Sequence, residues 1–148
     1  MAQCTGYALE FREVFLEKGY ALRMPPTVAA ELHENYRYGA TPEKRELARL
    51  ALANVRQWDI QPVDVASVEV AIAEQFARRL LHRALLPANE FHDALILAET
   101  AVATIPLLVT SDRHLLDVDE DELVLLCGEA DLCPVRAAHP RRLLRAIR

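Results

Sequence analysis

Glycine and cysteine are scarce in this chain, and each shortage excludes a class of protein. The 148 residues include four glycines and three cysteines, Cys4, Cys127 and Cys133, with no C-x-x-C pair. Few glycines leave little room for flexible linkers. Three cysteines without such a pair argue against a disulfide framework and against a structural zinc site. We therefore predict one compact domain over residues 1–148, because single domains most often have ~100–150 residues.

Long apolar runs and nucleotide-binding motifs are also missing. The longest uncharged apolar stretch, residues 100–111, is interrupted by Pro106 and is much shorter than the ~20 residues of a membrane helix. The N-terminus lacks the basic start of a signal peptide, so we expect a cytoplasmic protein with no membrane segment. No P-loop, dinucleotide-binding or G-x-S-x-G motif occurs, and no two histidines have H-x-x-x-H or H-E-x-x-H spacing. These absences exclude several common nucleotide and serine enzymes and disfavour a zinc hydrolase.

Basic charge is concentrated at the C-terminal end of the chain. The net charge is -5, but residues 136–148 contain five arginines and no acid. Such a tail is either a solvated last helix, whose arginines suit the C-terminal end of its dipole, or a surface that binds a polyanion.

Helical patterns alternate with short apolar runs along the chain. Periodicity and capping residues predict helices at 7–18, 26–38, 41–59, 64–85 (begun by Asp64 or Ser67), 91–103, 113–116 and from Pro140, and strands at 20–24, 60–63, 106–110 and 132–136. The helix at 91–103 is apolar nearly all round, which indicates burial. The alternation predicts an α/β fold, with a parallel sheet between two helical layers.

Three acids follow the predicted strands or begin the next helix. Asp112 comes just after the strand at 106–110, Asp93 lies in the first turn of the buried helix, and Glu31 is one turn into the helix after the strand at 20–24. Ligands of open parallel sheets gather at the carboxyl ends of the strands, where these acids are expected to converge. Each has an ordinary alternative: Asp93 as a helix-start acid, Asp112 as a cap and Glu31 as a solvated helix residue.

Carboxylates that converge repel one another unless a hard cation neutralises them. Mg²⁺ or Mn²⁺ prefers such oxygen ligands, and an ion held there activates water against a phosphodiester. The acids therefore predict metal-assisted hydrolysis. Asp117, from the acidic run after Asp112, is a further candidate ligand, although that run also suits a solvated helix start.

Three segments resemble the PIN-domain family of ribonucleases. They are HDALILAETAVATIPLLVTSDRHLLDVD at 92–119, MPPTVAAELHE at 24–34 and LCPVRAAHPRRLLRAI at 132–147. The resemblance implies a three-layer PIN-like fold, an acidic Mg²⁺ or Mn²⁺ site and cleavage of RNA. It also implies that homodimers are frequent, and that many bacterial members are toxins silenced by a small antitoxin protein. By position it assigns catalytic and metal-binding roles to Glu31, Asp93 and Asp112, and substrate contacts to Thr110 and Arg113.

The chain departs from the family at its N-terminus. PIN domains begin with a central strand that ends in an aspartate, whereas residues 1–6 contain no acid and no apolar run. Three explanations stay open: the sequence is a fragment or starts at a wrong codon, another chain supplies the strand, or the protein is an inactive member. A sheet without its centre would also expose edges that favour dimerisation or swapping.

Three functional hypotheses account for these features. The first is a metal-dependent endoribonuclease. Such an enzyme can be the toxin of a toxin-antitoxin pair. The second is a catalytically inactive PIN-like module that binds RNA or a protein partner through its sheet edge or through Arg141, Arg142, Arg145 and Arg148. The third is an unrelated acidic α/β domain that uses Mg²⁺ for phosphoryl chemistry on a small molecule.

Overall fold

A computed structural model describes residues 2–147, with side chains from Glu10 onward, and it is a mixed α/β structure. Arg148 and the side chains of Cys4, Tyr7 and Leu9 lie outside the described residues. The elements are α1 (Ala2–Glu17), β1 (Arg23–Met24), α2 (Pro26–Tyr38), α3 (Pro42–Gln57), β2 (Gln61–Pro62), α4 (Ser67–His82), α5 (Phe91–Val102), β3 (Leu107–Val109), α6 (Arg113–Leu116), α7 (Glu120–Glu129), β4 (Arg136–Ala138) and α8 (Pro140–Ile147).

Most helix ends lie where capping chemistry predicts them. The Thr41 side chain accepts a hydrogen bond from the Lys44 N–H and begins α3, as expected. Gly19, with φ of 83°, follows α1 as a left-handed residue that lacks the steric cost of a side chain. The predicted start of α4 is wrong: neither Asp64 nor Ser67 is its cap. Ala66 occupies that position, and its N–H donates to the Glu69 carboxylate.

The strands are parallel, as predicted, but they are shorter and form two separate sheets. β1 pairs with β2, and β3 pairs with β4. The predicted strand at 132–136 is displaced because the Leu132 N–H closes the end of α7 by bonding to the Cys127 carbonyl. The ladder with β3 therefore begins only at Arg136, whose N–H donates to the Pro106 carbonyl.

Helices cover both faces of β3. On one face, Leu107 and Val109 pack against a cluster built around Phe11, Phe15 and Leu144, which brings α1 and α8 together. On the other face, Leu108 belongs to a larger core with residues of α4, α5 and α7. The unalternating apolar sequence of β3 is explained by this burial on two sides.

The buried helix predicted at 91–103 is confirmed as α5. Seven of its twelve residues are buried, and α4 packs along it. No helix within residues 2–147 is long and apolar enough to cross a membrane.

Candidate functional site

A cleft of about 890 Å³ separates the two sheets. One wall is residues 20–25, which include β1, and the opposite wall is residues 105–110, which include β3. Ile96 and Thr100 of α5 also line the cleft, as does Phe15 of α1. The cleft therefore borders both sheets.

Glu31, Asp93 and Asp112 all line this cleft. They come from α2, α5 and the turn after β3, which are far apart in sequence. Asp112 follows the carboxyl end of β3, Asp93 lies in the first turn of α5, and Glu31 lies in α2, which follows β1. These are the positions at which ligand-binding residues of parallel sheets are usually found. The tertiary structure thus places the three predicted acids on one cavity.

Asp93 is the most perturbed of the three acids. Its Oδ2 atom is buried and has no hydrogen-bond partner among the described residues. Burial, followed by repulsion from Asp112 and by contact with Glu90, raises the pKa of Asp93 from 3.8 to about 6, and Glu31 adds a smaller repulsion. A carboxyl group held in this way is suited to binding a cation or a proton.

Glu31 is oriented by a histidine that the sequence analysis did not single out. The Nδ1 atom of His92 lies 2.6 Å from Oε1 of Glu31, so the ring donates to the carboxylate. A second pair, His114 Nε2 and Glu90 Oε1, is separated by 3.5 Å. Their position in the sequence could have indicated both residues, because His92 immediately precedes Asp93 and Glu90 lies three residues before Asp93.

Asp112 acts as the N-cap of α6, which was its ordinary alternative. Its Oδ1 accepts from the His114 N–H at 2.8 Å, and its own N–H donates to the Thr110 hydroxyl at 3.1 Å. These bonds position the carboxylate at the cleft, so the capping role and a site role are compatible. Thr110 also lines the cleft.

Arg113 and Asp117 are not brought to the cleft. Both are exposed, at the two ends of the four-residue helix α6, and neither lines the cavity. Asp117 is the C-cap of α6, where its N–H bonds to the Arg113 carbonyl. Neither residue therefore lines the cleft that Glu31, Asp93 and Asp112 line.

Glu99 is a buried acid that the sequence analysis missed. It is only 8% exposed, and its two carboxylate oxygens accept from the N–H and the hydroxyl of Thr27, at 3.0 and 2.9 Å. Burial raises its pKa, although both Thr27 bonds oppose that effect. Glu99 holds the start of α2 against α5, which fixes the position of Glu31 one turn later. An acid in the middle of an apolar helix was its signal.

The acids meet some but not all requirements of a divalent metal site. The donors are carboxylate oxygens, which Mg²⁺ and Mn²⁺ prefer, and Oδ2 of Asp93 lacks a partner. Within residues 2–147, however, no three His, Cys, Asp or Glu residues form a group that could hold an ion. Glu31, Asp93 and Asp112 thus share a cavity without being assembled around one point.

Comparisons of this chain with models of known protein families, with curated proteins and with solved structures found no match. The resemblance to PIN-domain proteins therefore depends on the three sequence segments and on the position of the acids, and a family assignment stays a proposal.

Proposed function

We propose that this chain is a metal-dependent endoribonuclease of the PIN type. The observation that carries the proposal is that Glu31, Asp93 and Asp112, from three separate elements, line a single cleft. Asp112 and Glu31 repel the charge of Asp93, and carboxylates that repel one another favour a bound cation. The partly buried Asp93, with its unpartnered oxygen, is the strongest candidate ligand.

The residues proposed to hold Mg²⁺ or Mn²⁺ are Glu31, Asp93 and Asp112. When bound, such an ion supplies charge neutralisation and water activation. The chain itself contributes orientation. His92 donates to Glu31, and the N-terminus of α6 holds Asp112. The three-layer arrangement is part of the same proposal, and it is supported by the helices that cover both faces of β3.

The test of this proposal is cleavage of an end-labelled, mixed-sequence single-stranded RNA by the full chain. We expect cleavage with millimolar Mn²⁺ and none with EDTA, followed by recovery when Mn²⁺ is added back in excess. Fragments would be resolved on a denaturing gel. Cleavage that continues unchanged in EDTA would contradict the proposal, and so would the absence of cleavage with Mn²⁺ and with Mg²⁺.

A second candidate function is a catalytically inactive module that binds RNA, and α8 favours it. Leu144 of α8 is buried against α1, whereas Arg142 and Arg145 are exposed. This amphipathic arrangement leaves a basic face for phosphate contacts.

Replacement of Arg142 and Arg145 by alanine is expected to weaken RNA binding at all sequences alike. Removal of one phosphate contact should reduce the slope of log affinity against log salt by ~1, so the double variant should reduce it by about 2. Fluorescence anisotropy across a salt series measures the slope. Arg56→Ala with Arg79→Ala, on other helices, is the control of equal charge. An equal reduction of the slope in this control would show that overall charge, rather than α8, is responsible.

The predicted homodimer and antitoxin stay predictions, because the features described above are those of one chain.

A further inference from the structure

The two walls of the cleft are strand edges without a strand partner. Among the described strands, β1 pairs only with β2 and β3 only with β4. The Thr110 N–H donates to the Ala138 carbonyl, and the Pro106 carbonyl accepts from the Arg136 N–H. The backbone groups of Pro106 and Thr110, which flank β3, therefore face β4. Backbone groups alternate between the two edges of a strand, so those of Leu107 and Val109 face the other way, toward the cleft.

The opposite wall of the cleft, β1, also has one edge without a strand partner. The Met24 carbonyl accepts from the Val63 N–H and therefore faces β2. By the same alternation, the backbone N–H and C=O of Arg23 face away from β2, on the edge that borders the cleft. The free backbone groups are therefore those of Leu107 and Val109 on one edge and of Arg23 on the other. An extended polypeptide matches both edges, because it has donors and acceptors on both of its own. A small apolar ligand would leave these groups unpaired.

The surroundings of the cleft determine which side chains such a strand would carry. Phe15 borders it from α1, and Ile96 and Val28 border it from α5 and α2. A strand between β1 and β3 would thus meet apolar groups on both faces. Strands buried on two faces are continuous apolar runs rather than alternating ones.

The charge at one end of the cleft determines which side chain suits the end of the strand. A strand parallel to β1 and β3 has its carboxyl end beside Glu31, Asp93 and Asp112. No lysine or arginine of residues 10–147 forms an ion pair with any of these three acids. A basic side chain at the end of the strand would complement them, whereas an acidic one would add to their repulsion.

We propose that the cleft between β1 and β3 binds an extended segment of another polypeptide, inserted as a strand parallel to both, with an apolar run and then a lysine or arginine. The binding does not depend on catalysis, and its test contains no RNA and no metal.

The probe is a fluorescein-labelled peptide with five valine or isoleucine residues, then one lysine and an amidated end, preceded by a soluble Ser-Gly-Ser segment. Its binding to the full chain in EDTA is measured by fluorescence anisotropy. Two matched peptides are compared with it. One has aspartate in place of the lysine, and the other is N-methylated at two alternate amides, which removes hydrogen bonds to one wall. We expect each to bind at least about tenfold more weakly, the equivalent of 1.4 kcal/mol.

Two variants of the chain test the location. Ile96→Trp places a larger side chain at the cleft and should reduce binding of the lysine peptide, whereas Val124→Trp, on the exposed side of α7, should not. Asp112→Asn should weaken the lysine peptide but leave a peptide ending in glutamine unchanged, and Asp121→Asn is its charge-matched control. Thermal melts measured by circular dichroism identify any variant that fails to fold, and the peptide series on the unaltered chain then decides.

Three results would overturn the proposal. The first is the absence of binding by the lysine peptide to the unaltered chain. The second is equal binding of the N-methylated or aspartate-ended peptide, which would show that backbone pairing or charge is not used. The third is a dimer, seen by analytical ultracentrifugation, that Ile96→Trp dissociates and that excludes the peptide, since a second copy of this chain would then occupy the cleft.

Discussion

Asp93→Asn is expected to reduce metal-dependent RNA cleavage by about 100-fold or more while making the fold more stable near neutral pH. The two effects have one cause. The carboxylate is held beside Asp112, Glu90 and Glu31, and burial and these neighbours raise its pKa to about 6. An amide of nearly the same shape removes the repelling charge together with the negative oxygen ligand.

The gain in stability has a defined pH dependence. In the unfolded chain the pKa of an aspartate is 3.8, and in the folded chain that of Asp93 is about 6. Between these values the folded state holds a proton that the unfolded state has released, so the charge of Asp93 makes folding less favourable as the pH rises through this window. Below pH 4 the penalty disappears, and above pH 6 to 7 it is constant.

The size of the gain is limited by solvent. A pKa difference of this size corresponds to at most about 3 kcal/mol, and because Asp93 is only partly buried, water screens much of it, so we expect about 1 kcal/mol. Urea unfolding of both chains at pH 4 and at pH 7.5 measures it. Asp121→Asn, in the exposed first turn of α7, is the matched control and should change neither activity nor stability by much. Full activity of the Asp93→Asn variant would show that Asp93 is not a ligand of the proposed metal site.

Phe76→Ala is expected to lower the free energy of unfolding by about 3–5 kcal/mol, a large part of the total for a domain of this size. Phe76 is 2% exposed and belongs to the core between α4 and α5. Removal of the ring leaves a cavity in the core. The packing lost there supports α5, the helix that contains Asp93. Chemical unfolding monitored by circular dichroism measures the decrease.

The control for Phe76→Ala lies on the same helix. Val68 is 69% exposed near the start of α4, and Val68→Ala should change the free energy of unfolding by no more than about 0.5 kcal/mol. A similar decrease in both variants would show that the loss does not come from the core packing around Phe76.

Local chemistry accounts for the elements that were predicted well. Thr41 and Pro42 begin α3, Gly19 follows α1, and the apolar sequence of α5 matches its burial. Each of these features depends on residues within a few positions of one another, so the signal is present in the sequence itself. The strands at 20–24 and 60–63 were predicted too long, because strand length depends on a partner that sequence alone does not reveal.

The candidate site was only partly predictable, for the same reason. Glu31, Asp93 and Asp112 were found because each follows a strand or begins a helix. The contacts of His92 with Glu31 and of Glu99 with Thr27 join residues 61 and 72 positions apart, and no local pattern indicates either contact. Arg113 and Asp117 are near Asp112 in sequence, but both are exposed at the ends of α6 and neither lines the cleft.

By itself, the sequence determined most of the helices, the cap of α3, the parallel direction of the strands and the three acids, because these depend on periodicity, on backbone capping and on position relative to a strand. It did not predict α7 or the cap of α4. Only the tertiary structure decided that the strands form two sheets with a cleft between them, that the acids share this cleft without forming a metal-binding group, and that Asp93 is the one held in an unfavourable environment. These properties depend on distances between residues far apart in the chain, and such distances are set by packing.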